Sequence, residues 1–254
     1  MYADIQPRWT LDQTQPIASQ IHRILRERVI RGDLPPGHQI SETEIAKRYA
    51  TSRQPVREAF IKLAAEGLLS VRPQRGTVVN KIVYSAVLDA RFLREAVEAD
   101  IVRILAASPD TALIAELRSL VARQAEAAND EPLAFSGLDE IFLRTLADGA
   151  GRGGTWRVIE GLKAQMDRVR YLALNRFPVQ RLISQHKAIV AQIEGGSGDG
   201  ADAAIRIHLR EVLRDLPQIV AAQPDLFELP AGSSPEPANT PLPKGVPINE
   251  EEHL

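Results

Sequence analysis

The spacing of apolar residues divides this chain into a short N-terminal region of mixed periodicity and a longer region of helical periodicity. Near the N-terminus apolar residues recur at the spacing of one helix face, at Ile17, Ile21, Ile24, Leu25 and Val29. Alternating apolar and polar residues follow at 68–71 and 77–79 and predict a two-stranded hairpin. The first region is therefore predicted to combine helices with a small sheet.

Two short helices separated by a tight turn are predicted ahead of the hairpin. Ser41 and Glu44 form a capping box at the start of the first helix, which ends near Ala50. Pro55 marks the first turn of the second helix, where its missing N–H has no partner to lose, and Gly67 suits the position after its end. This order of elements is that of a winged helix-turn-helix, which presents its second helix to the major groove of DNA.

Polar side chains cluster at the two parts of this unit that would meet DNA. Arg53, Gln54 and Arg57 lie opposite the apolar stripe of the second helix, and Arg75 and Gly76 form the hairpin tip. A solvated helix surface is the simpler explanation for isolated arginines. Because the cap, the proline and the basic hairpin tip agree on one unit, the sequence favours DNA binding.

From residue 85 onward the periodicity is helical and is interrupted by glycine, proline and polar residues. The interruptions delimit six predicted helices, at about 85–107, 109–129, 132–147, 155–175, 179–194 and 200–222. Short connections imply an all-α bundle, so the predicted fold class is mainly α. The predicted domains are a flexible arm at 1–15, the winged helix-turn-helix at 16–80, a linker at 81–87, the helical domain at 88–222 and a tail at 223–254.

The composition of the tail differs from that of the rest of the chain. It holds seven of the 17 prolines and closes on Glu250, Glu251 and Glu252. Such a segment buries too little apolar surface to fold and is predicted to be disordered or polyproline II-like.

Charge is distributed unevenly between the two predicted domains. Residues 16–80 hold 11 of the 31 cations and six of the 33 anions, a net charge of +5, which leaves −7 for the rest. A basic module on an acidic body concentrates positive potential on one surface, as DNA binding requires. The chain has no cysteine, no signal peptide and no apolar run long enough to span a membrane, so a cytoplasmic protein is expected.

Residues 16–80 resemble the DNA-binding domain of the GntR family, through the segments SRQPVREA and EGLL and the Arg-Gly wing. The helical remainder, which starts near RFLREAVEADIVRILA, looks like the FCD-type effector domain of that family's FadR branch. The resemblance implies a homodimeric transcription regulator, in this case a repressor, whose affinity for double-stranded operator DNA changes when a small carboxylate metabolite binds the helical domain. It also implies that the residues contacting DNA are Ser52, Arg53, Gln54, Arg57, Arg75 and Gly76.

The resemblance further implies a divalent metal held by an Asp, a His one turn later and two His on later helices. Asp139, His186 and His208 match three of these positions, and His208 follows His186 by 22 residues, which fits neighbouring antiparallel helices. Leu143 stands where the remaining histidine is expected. Three nitrogen and oxygen ligands can still hold Zn²⁺ or Ni²⁺, with weaker affinity, if water or an effector carboxylate completes the shell.

The same three residues are candidates for binding the effector, together with two arginines. Arg94, one turn before Glu98, is either half of a surface ion pair or, as the resemblance implies, a pocket residue whose planar guanidinium holds a carboxylate. Arg170 is a second candidate of the same kind.

Three functions remain open at this point. The first is a ligand-controlled transcription factor without enzymatic activity. The second is a metal-dependent hydrolase with a vestigial DNA-binding domain, because Asp and His ligands can hold a metal that activates water. The third is a regulator without metal, whose histidines bind the effector directly. No general base or nucleophile stands out beside the candidate ligands, so the sequence favours a regulator over the hydrolase.

Overall fold

The computed structural model of the chain describes residues 9–72, 76–128, 132–174, 179–231, 239 and 241–243. Over these residues it contains ten α-helices and five short strands, arranged as an N-terminal domain with a small sheet and a C-terminal helical domain. The predicted class, mainly α with a winged helix-turn-helix and a helical bundle, is confirmed. Within the described ranges no helix is long and apolar enough to cross a membrane.

The N-terminal domain combines three helices with a three-stranded antiparallel sheet. In chain order its elements are α1 (Ile17–Ile30), β1 (Gln39–Ile40), α2 (Glu42–Arg48), α3 (Arg53–Ala65), β2 (Leu69–Arg72) and β3 (Gly76–Val79). Strand β3 is central, and its Val78 pairs with Gln39 on one side and Ser70 on the other. The apolar faces of the helices share one core with the sheet.

The tight turn between α2 and α3 depends on a left-handed residue. Ala50 has a φ of +48°, and Gly67, just after α3, has a φ of +71° as its predicted position requires. Ser41 is the N-cap of α2, but its side chain makes no capping hydrogen bond. The capping box predicted with Glu44 is therefore absent, and Glu44 is exposed to solvent, where water competes for its carboxylate.

The helical domain has seven helices over its described residues, one more than predicted. They are α4 (Tyr84–Ala107), α5 (Thr111–Ala127), α6 (Pro132–Gly149), α7 (Gly153–Leu162), α8 (Ala164–Leu174), α9 (Gln180–Glu194) and α10 (Gly198–Ala222). The single helix predicted at 155–175 is divided at Lys163. Gly161 lowers helix propensity just before this break, and the Lys163 ammonium donates to the Asp167 carboxylate at 2.9 Å.

The connection between the domains is shorter than the predicted linker at 81–87, because α4 already begins at Tyr84. It contains strand β4 (Ile82–Val83), which pairs in parallel with β5 (Phe227–Glu228) from beyond α10. Phe227 is buried in a cluster with Ile82 and Met166. The predicted disordered tail therefore begins with a structured segment, which is held by the buried ring of Phe227 and by the pairing of β5 with β4. Residues 232–238, 240 and 244–254 lie outside the described ranges.

The predicted flexible arm at 1–15 is also structured in its second half. Trp9 is buried in the N-terminal core, and the Arg28 guanidinium lies 5.2 Å from the centre of its ring. A buried indole holds the arm against the domain. Residues 1–8 lie outside the described ranges.

Helix α8 joins the two domains through polar contacts. The Gln165 amide donates to the carbonyl oxygen of Gly67 at 2.9 Å, and the Arg168 guanidinium donates to the carbonyl oxygen of Asn80 at 2.9 Å. The carboxylate of Asp167 accepts a hydrogen bond from Arg26 of α1 at 2.7 Å. One helix of the helical domain therefore contacts the N-terminal domain at several points.

A buried carboxylate fixes the packing of α4 against α10. Glu95 accepts hydrogen bonds from Arg91 on its own helix and from Arg206 and Arg210 on α10. Burial raises the pKa of Glu95, but hydrogen bonds from the three arginines outweigh burial and lower this pKa to about 2. The carboxylate stays ionised, and the register of the two helices is set by its partners.

Truncation of Phe227 tests the role of the C-terminal strand. Because this ring is only 3% exposed, Phe227→Ala should lower the free energy of unfolding by about 3 kcal/mol. Leu229→Ala, two residues further on and exposed, is the matched control and should change it by less than about 0.5 kcal/mol. Chemical denaturation followed by circular dichroism measures both, and equal losses would contradict the packing of β5.

Candidate functional site

The helix residues predicted to contact DNA lie together at the start of α3. Ser52 is the N-cap, and Arg53, Gln54 and Arg57 follow with exposed side chains. Arg53 is 67% exposed and pairs with Glu42 of α2 at 3.2 Å. An exposed pair of this kind contributes little stability, so the guanidinium can exchange its carboxylate partner for a base or phosphate.

The hairpin supplies the other predicted contacts. Gly76 is exposed and has a φ of +81°, which a turn at the start of β3 requires. Arg75 lies outside the described residues.

Three predicted ligands converge in the helical domain. Asp139 of α6, His186 of α9 and His208 of α10 are all buried and each offers one ligand atom, and these atoms lie within 4.8 Å of one another. Oδ1 of Asp139 is 3.3 Å from Nε2 of His186 and 3.9 Å from Nε2 of His208. The three side chains therefore lie at one level of the bundle, as the 22-residue spacing of the two histidines and the resemblance together imply.

A glutamine amide determines the tautomer of His186. Gln124 of α5 donates its side-chain N–H to the carbonyl oxygen of Leu138 at 3.2 Å, so its oxygen faces the histidine. That oxygen lies 2.8 Å from Nδ1 of His186 and must accept a hydrogen bond from it. The proton is thereby assigned to Nδ1, and Nε2 presents a free lone pair to Asp139 and His208.

His208 is held in the same way by a second glutamine. Gln185 donates to the Glu211 carboxylate at 2.7 Å, and its oxygen lies 3.2 Å from Nδ1 of His208. Burial lowers the pKa of His208 well below its ordinary value, so the ring is neutral. Within the described part of the chain, neither His186 Nε2 nor His208 Nε2 has a hydrogen-bond partner. Two buried lone pairs thus point toward one carboxylate.

Arg170 of α8 balances the charge of this carboxylate. Its guanidinium donates to Oδ1 of Asp139 at 2.9 Å. Burial raises the pKa of Asp139, but the charge of Arg170 outweighs burial and lowers this pKa well below its ordinary range. Leu143, one turn after Asp139, is buried and offers no ligand atom. Asp139 is therefore ionised at every physiological pH.

Arg94 lies close enough to affect this site but is bound elsewhere. Its guanidinium makes a bidentate contact with Glu98, at 2.6 and 3.2 Å. This is the ion pair that the spacing of the two residues suggests, although it is buried rather than on the surface. A carboxylate ligand would have to compete with Glu98 for Nε and Nη2 of Arg94, while Nη1 lies 3.9 Å from the sulfur of Met166.

A cavity of about 300 Å³ adjoins the three ligand side chains. His208 and Arg170 stand in its wall, which is otherwise mostly apolar, with Leu174, Leu182, Leu209 and Val212 among the lining residues. We call it the effector cavity. Its size suits a small metabolite that has one polar end and some apolar surface.

The nitrogen and oxygen atoms that face one another in the site determine what it can bind. Two free Nε2 atoms and a carboxylate all accept hydrogen bonds or coordinate a cation, and none of them donates. One carboxylate oxygen with two imidazole nitrogens is a ligand set that suits Zn²⁺ or Ni²⁺, and each imidazole is oriented by a hydrogen bond at its other nitrogen, as metal-binding histidines are. The residues present therefore fit a divalent metal.

Sequence reasoning missed the two glutamines that orient the histidines. One signal was available: Gln124 is an amide in the apolar stripe of α5, at helical spacing from Leu117, Leu120 and Val121. A polar side chain in a core stripe needs a buried partner. Gln185 immediately precedes His186 in the sequence, but its contact with His208 depends on the packing of α9 against α10.

Comparison with known proteins gives two family matches. The family described as bacterial regulatory proteins, gntR family, matches residues 17–79, and the FCD domain matches residues 89–211. Together these matches cover most of both domains.

Individual relatives extend over the same region. HTH-type transcriptional repressor RspR of Escherichia coli (strain K12) is 38% identical over 219 residues, which cover 85% of this chain and 96% of that protein. A probable D-xylose utilization operon transcriptional repressor of Paenarthrobacter nicotinovorans is 30% identical over 198 residues, covering 78% and 87%. The solved structure of E. coli McbR/YncC has a TM-score of 0.69 at 18% identity, covers 80% of this chain and 97% of that one, and shows a similar fold.

A carboxyl group beside the effector cavity should make stability depend on pH. Burial, followed by the charge of Glu211, raises the pKa of Asp215 to about 6. Because this folded pKa lies above the unfolded one, ionisation of Asp215 costs stability as the pH rises from about 4 through 6. Asp215→Asn should therefore raise the melting temperature at about pH 8, by roughly 2–4 °C, and leave it nearly unchanged at about pH 4.

The control for this variant is Asp225→Asn, at an exposed position beyond α10. Its melting temperature should follow that of the wild type at both pH values. A shift of equal size at both pH values in Asp215→Asn would contradict the assigned cause.

Proposed function

This chain belongs to the GntR family of bacterial regulatory proteins with an FCD domain, and we propose that it is a repressor controlled by a small carboxylate metabolite bound at Asp139, His186 and His208. The relatives matched over most of its length are named transcriptional repressors or regulators. The DNA-binding domain would select the operator, and occupation of the helical domain would change the affinity for it.

One observation carries the ligand site: two buried imidazole Nε2 atoms, which have no hydrogen-bond partner among the described residues, lie beside a buried carboxylate. A carboxylate metabolite has no hydrogen to donate to these nitrogens, so direct binding to the histidines would leave three acceptors facing one another. A divalent cation at this position accepts electrons from all three. The arrangement thus favours a metal over a regulator whose histidines bind the effector directly.

Because Leu143 supplies no ligand atom, the effector would complete the coordination of the metal in this proposal. With only three protein ligands, a tetrahedral metal keeps one open coordination position. A carboxylate in the effector cavity would fill that position with an oxygen atom. Metal and effector would then increase each other's affinity by the same factor, as thermodynamic linkage requires.

The DNA contacts are proposed at the polar residues that begin α3 and at the tip of the hairpin. Arg53, Gln54 and Arg57 on α3 would reach the base edges, with Ser52 and the wing residues Arg75 and Gly76 on the phosphates. One such helix reads too few base pairs to select a site in a genome. We therefore propose a homodimer bound to a pseudo-palindromic operator.

The hydrolase alternative requires a general base next to the metal position. Among the described residues that contact the three ligands are Gln124, Gln185 and Arg170. An amide or a guanidinium cannot take a proton from water at neutral pH. The relatives, which are named transcriptional repressors, support regulation instead of hydrolysis.

The effect of Leu143 is tested by restoring the missing imidazole. Wild type should bind Zn²⁺ or Ni²⁺ weakly, or only together with a carboxylate, whereas Leu143→His should bind it about tenfold or more tightly and keep it through dialysis. Elemental analysis and thermal shift, with each metal and a panel of mono-, di- and hydroxycarboxylates, measure both. Stoichiometric metal in dialysed wild type without carboxylate would show that Leu143 does not weaken the site.

Removal of a histidine provides the complementary test of the same site. His208→Ala should abolish the metal and carboxylate responses, while His38→Ala, in the other domain, should keep them. If His186→Ala and His208→Ala both retain every response, the ligand site lies elsewhere.

The recognition helix is tested on an operator selected from random duplexes by the wild-type protein. Arg53→Ala and Arg57→Ala should each weaken operator binding by about 1–3 kcal/mol, since an arginine–guanine contact discriminates by that amount. Arg118→Ala, an exposed arginine of the helical domain, is the control. Gel-shift titrations at two salt concentrations and a footprint of both half-sites measure the effect; unchanged affinity in both α3 variants would falsify the assignment.

A further inference from the structure

Arg170 stands between two cavities. It lines the effector cavity with His208, and it lines a second cavity of about 650 Å³ between the domains, whose wall includes Arg26, Asp139 and Asp167. We call the second one the interdomain cavity. The ion pair of Arg170 with Asp139 is therefore part of the wall of the interdomain cavity, and its arginine also faces the effector cavity.

One oxygen atom of Asp139 is shared by two competing contacts. Oδ1 accepts from Arg170 at 2.9 Å and is also the oxygen nearest to both free imidazole nitrogens, at 3.3 Å from His186 and 3.9 Å from His208. A metal bound to the histidines and to this oxygen would place two like charges on one atom. Their repulsion is strong in a buried site, so metal and guanidinium compete for this oxygen.

Helix α8 connects this ion pair to the DNA-binding domain. Gln165, Asp167 and Arg168, which bind the N-terminal domain, all lie within five residues of Arg170. Five residues of helix span about 7.5 Å, and a helix of this length moves as a unit. A shift of α8 at Arg170 must therefore alter all three contacts.

Two of these contacts, those of Gln165 and Asp167, lie at the C-terminal end of α3. Gln165 donates to the carbonyl oxygen of Gly67, which directly follows this helix. Arg26 holds Asp167 at 2.7 Å and also Glu66, the last residue before Gly67, at 3.1 Å. Helix α8 thus contacts the C-terminal end of α3, whereas Arg53 lies at its N-terminal end.

We propose that Arg170 is the internal competitor of the metal at Asp139, and that α8 transmits its release to the C-terminal end of α3. The inference rests on the proposed function, because it requires the site to take a metal. Without metal, Arg170 binds Asp139 and holds α8 in the position described above. With metal, the guanidinium is released into the effector cavity, where it binds the effector carboxylate that completes the metal shell.

The first test measures Zn²⁺ affinity by calorimetry in the full chain without any carboxylate. Arg170→Gln removes the competing positive charge and should tighten Zn²⁺ binding about tenfold or more. Arg144→Gln, which removes an exposed arginine from α6, is the matched control for net charge and should bind Zn²⁺ as the wild type does. Affinity equal to or weaker than wild type in Arg170→Gln would overturn the inference.

A second variant covers the case in which Arg170→Gln does not fold without metal, since Asp139 would then be a buried charge without a partner. Arg170→Lys keeps a cation but loses the planar fork that suits a carboxylate. It should bind Zn²⁺ more tightly than wild type, though less tightly than Arg170→Gln. Wild-type affinity in Arg170→Lys would count against the competition.

The second test measures transmission through α8. Gln165→Ala removes the contact with Gly67 without touching a ligand residue, so Zn²⁺ affinity should stay within about twofold of wild type. The ratio of operator dissociation constants with and without Zn²⁺ should fall toward one in this variant. Gln180→Ala, at an exposed position on α9, should keep the wild-type ratio. An unchanged ratio in Gln165→Ala would show that α8 does not transmit the change by this contact.

The two proposals fail in different ways. If no variant binds Zn²⁺, Leu143→His included, the metal site itself is wrong and the inference falls with it. If wild type binds Zn²⁺ and Arg170→Gln binds it no more tightly, the metal site stands and only the role of Arg170 is wrong.

Discussion

An ionised carboxylate in a helical core must be compensated, and the arrangement of the helical domain follows from how Asp139 is compensated. Burying a charge without a partner costs several kcal/mol, which is a large fraction of the stability of a typical domain. Asp139 receives one guanidinium, from Arg170, and faces two imidazole nitrogens that have no hydrogen to give it. The carboxylate is charge-balanced yet not saturated with donors. Asp139 can therefore still accept a cation or a hydrogen bond, which the carboxylate of a purely structural ion pair cannot do.

A second buried carboxylate of this domain, among several, shows the contrast. Glu95 is met by three arginines, and hydrogen bonds to both of its oxygens leave no position for a ligand. It fixes α4 against α10 and has a structural role. Two buried acids of similar chemistry thus differ in function because of the number of donors that surround them.

The N-terminal domain follows the opposite rule and keeps its cations in solvent. Arg53 pairs with Glu42 on the surface, where water screens the interaction and makes it easy to exchange. The inner side of α3, by contrast, packs in the core through Phe60 and Leu63. Helix α8 contacts this domain next to the C-terminal end of α3. The DNA-facing residues at the start of α3 are therefore connected to the ligand site through α3 and α8.

The sequence by itself determined the winged helix-turn-helix and most helix boundaries, because each depends on local periodicity. The set of Asp139, His186 and His208 came instead from the resemblance to the FCD domain. The sequence did not determine which side chains meet across helices. The pairing of Arg170 with Asp139, the glutamines that set both imidazole tautomers, and the burial of the Arg94 pair all depend on the rotation and register of packed helices. Phe227 is the same case, since its burial beside the domain linker depends on where α10 ends in space. Secondary structure depends on nearby residues in the sequence, whereas the pairing of side chains from different helices depends on how the whole core packs.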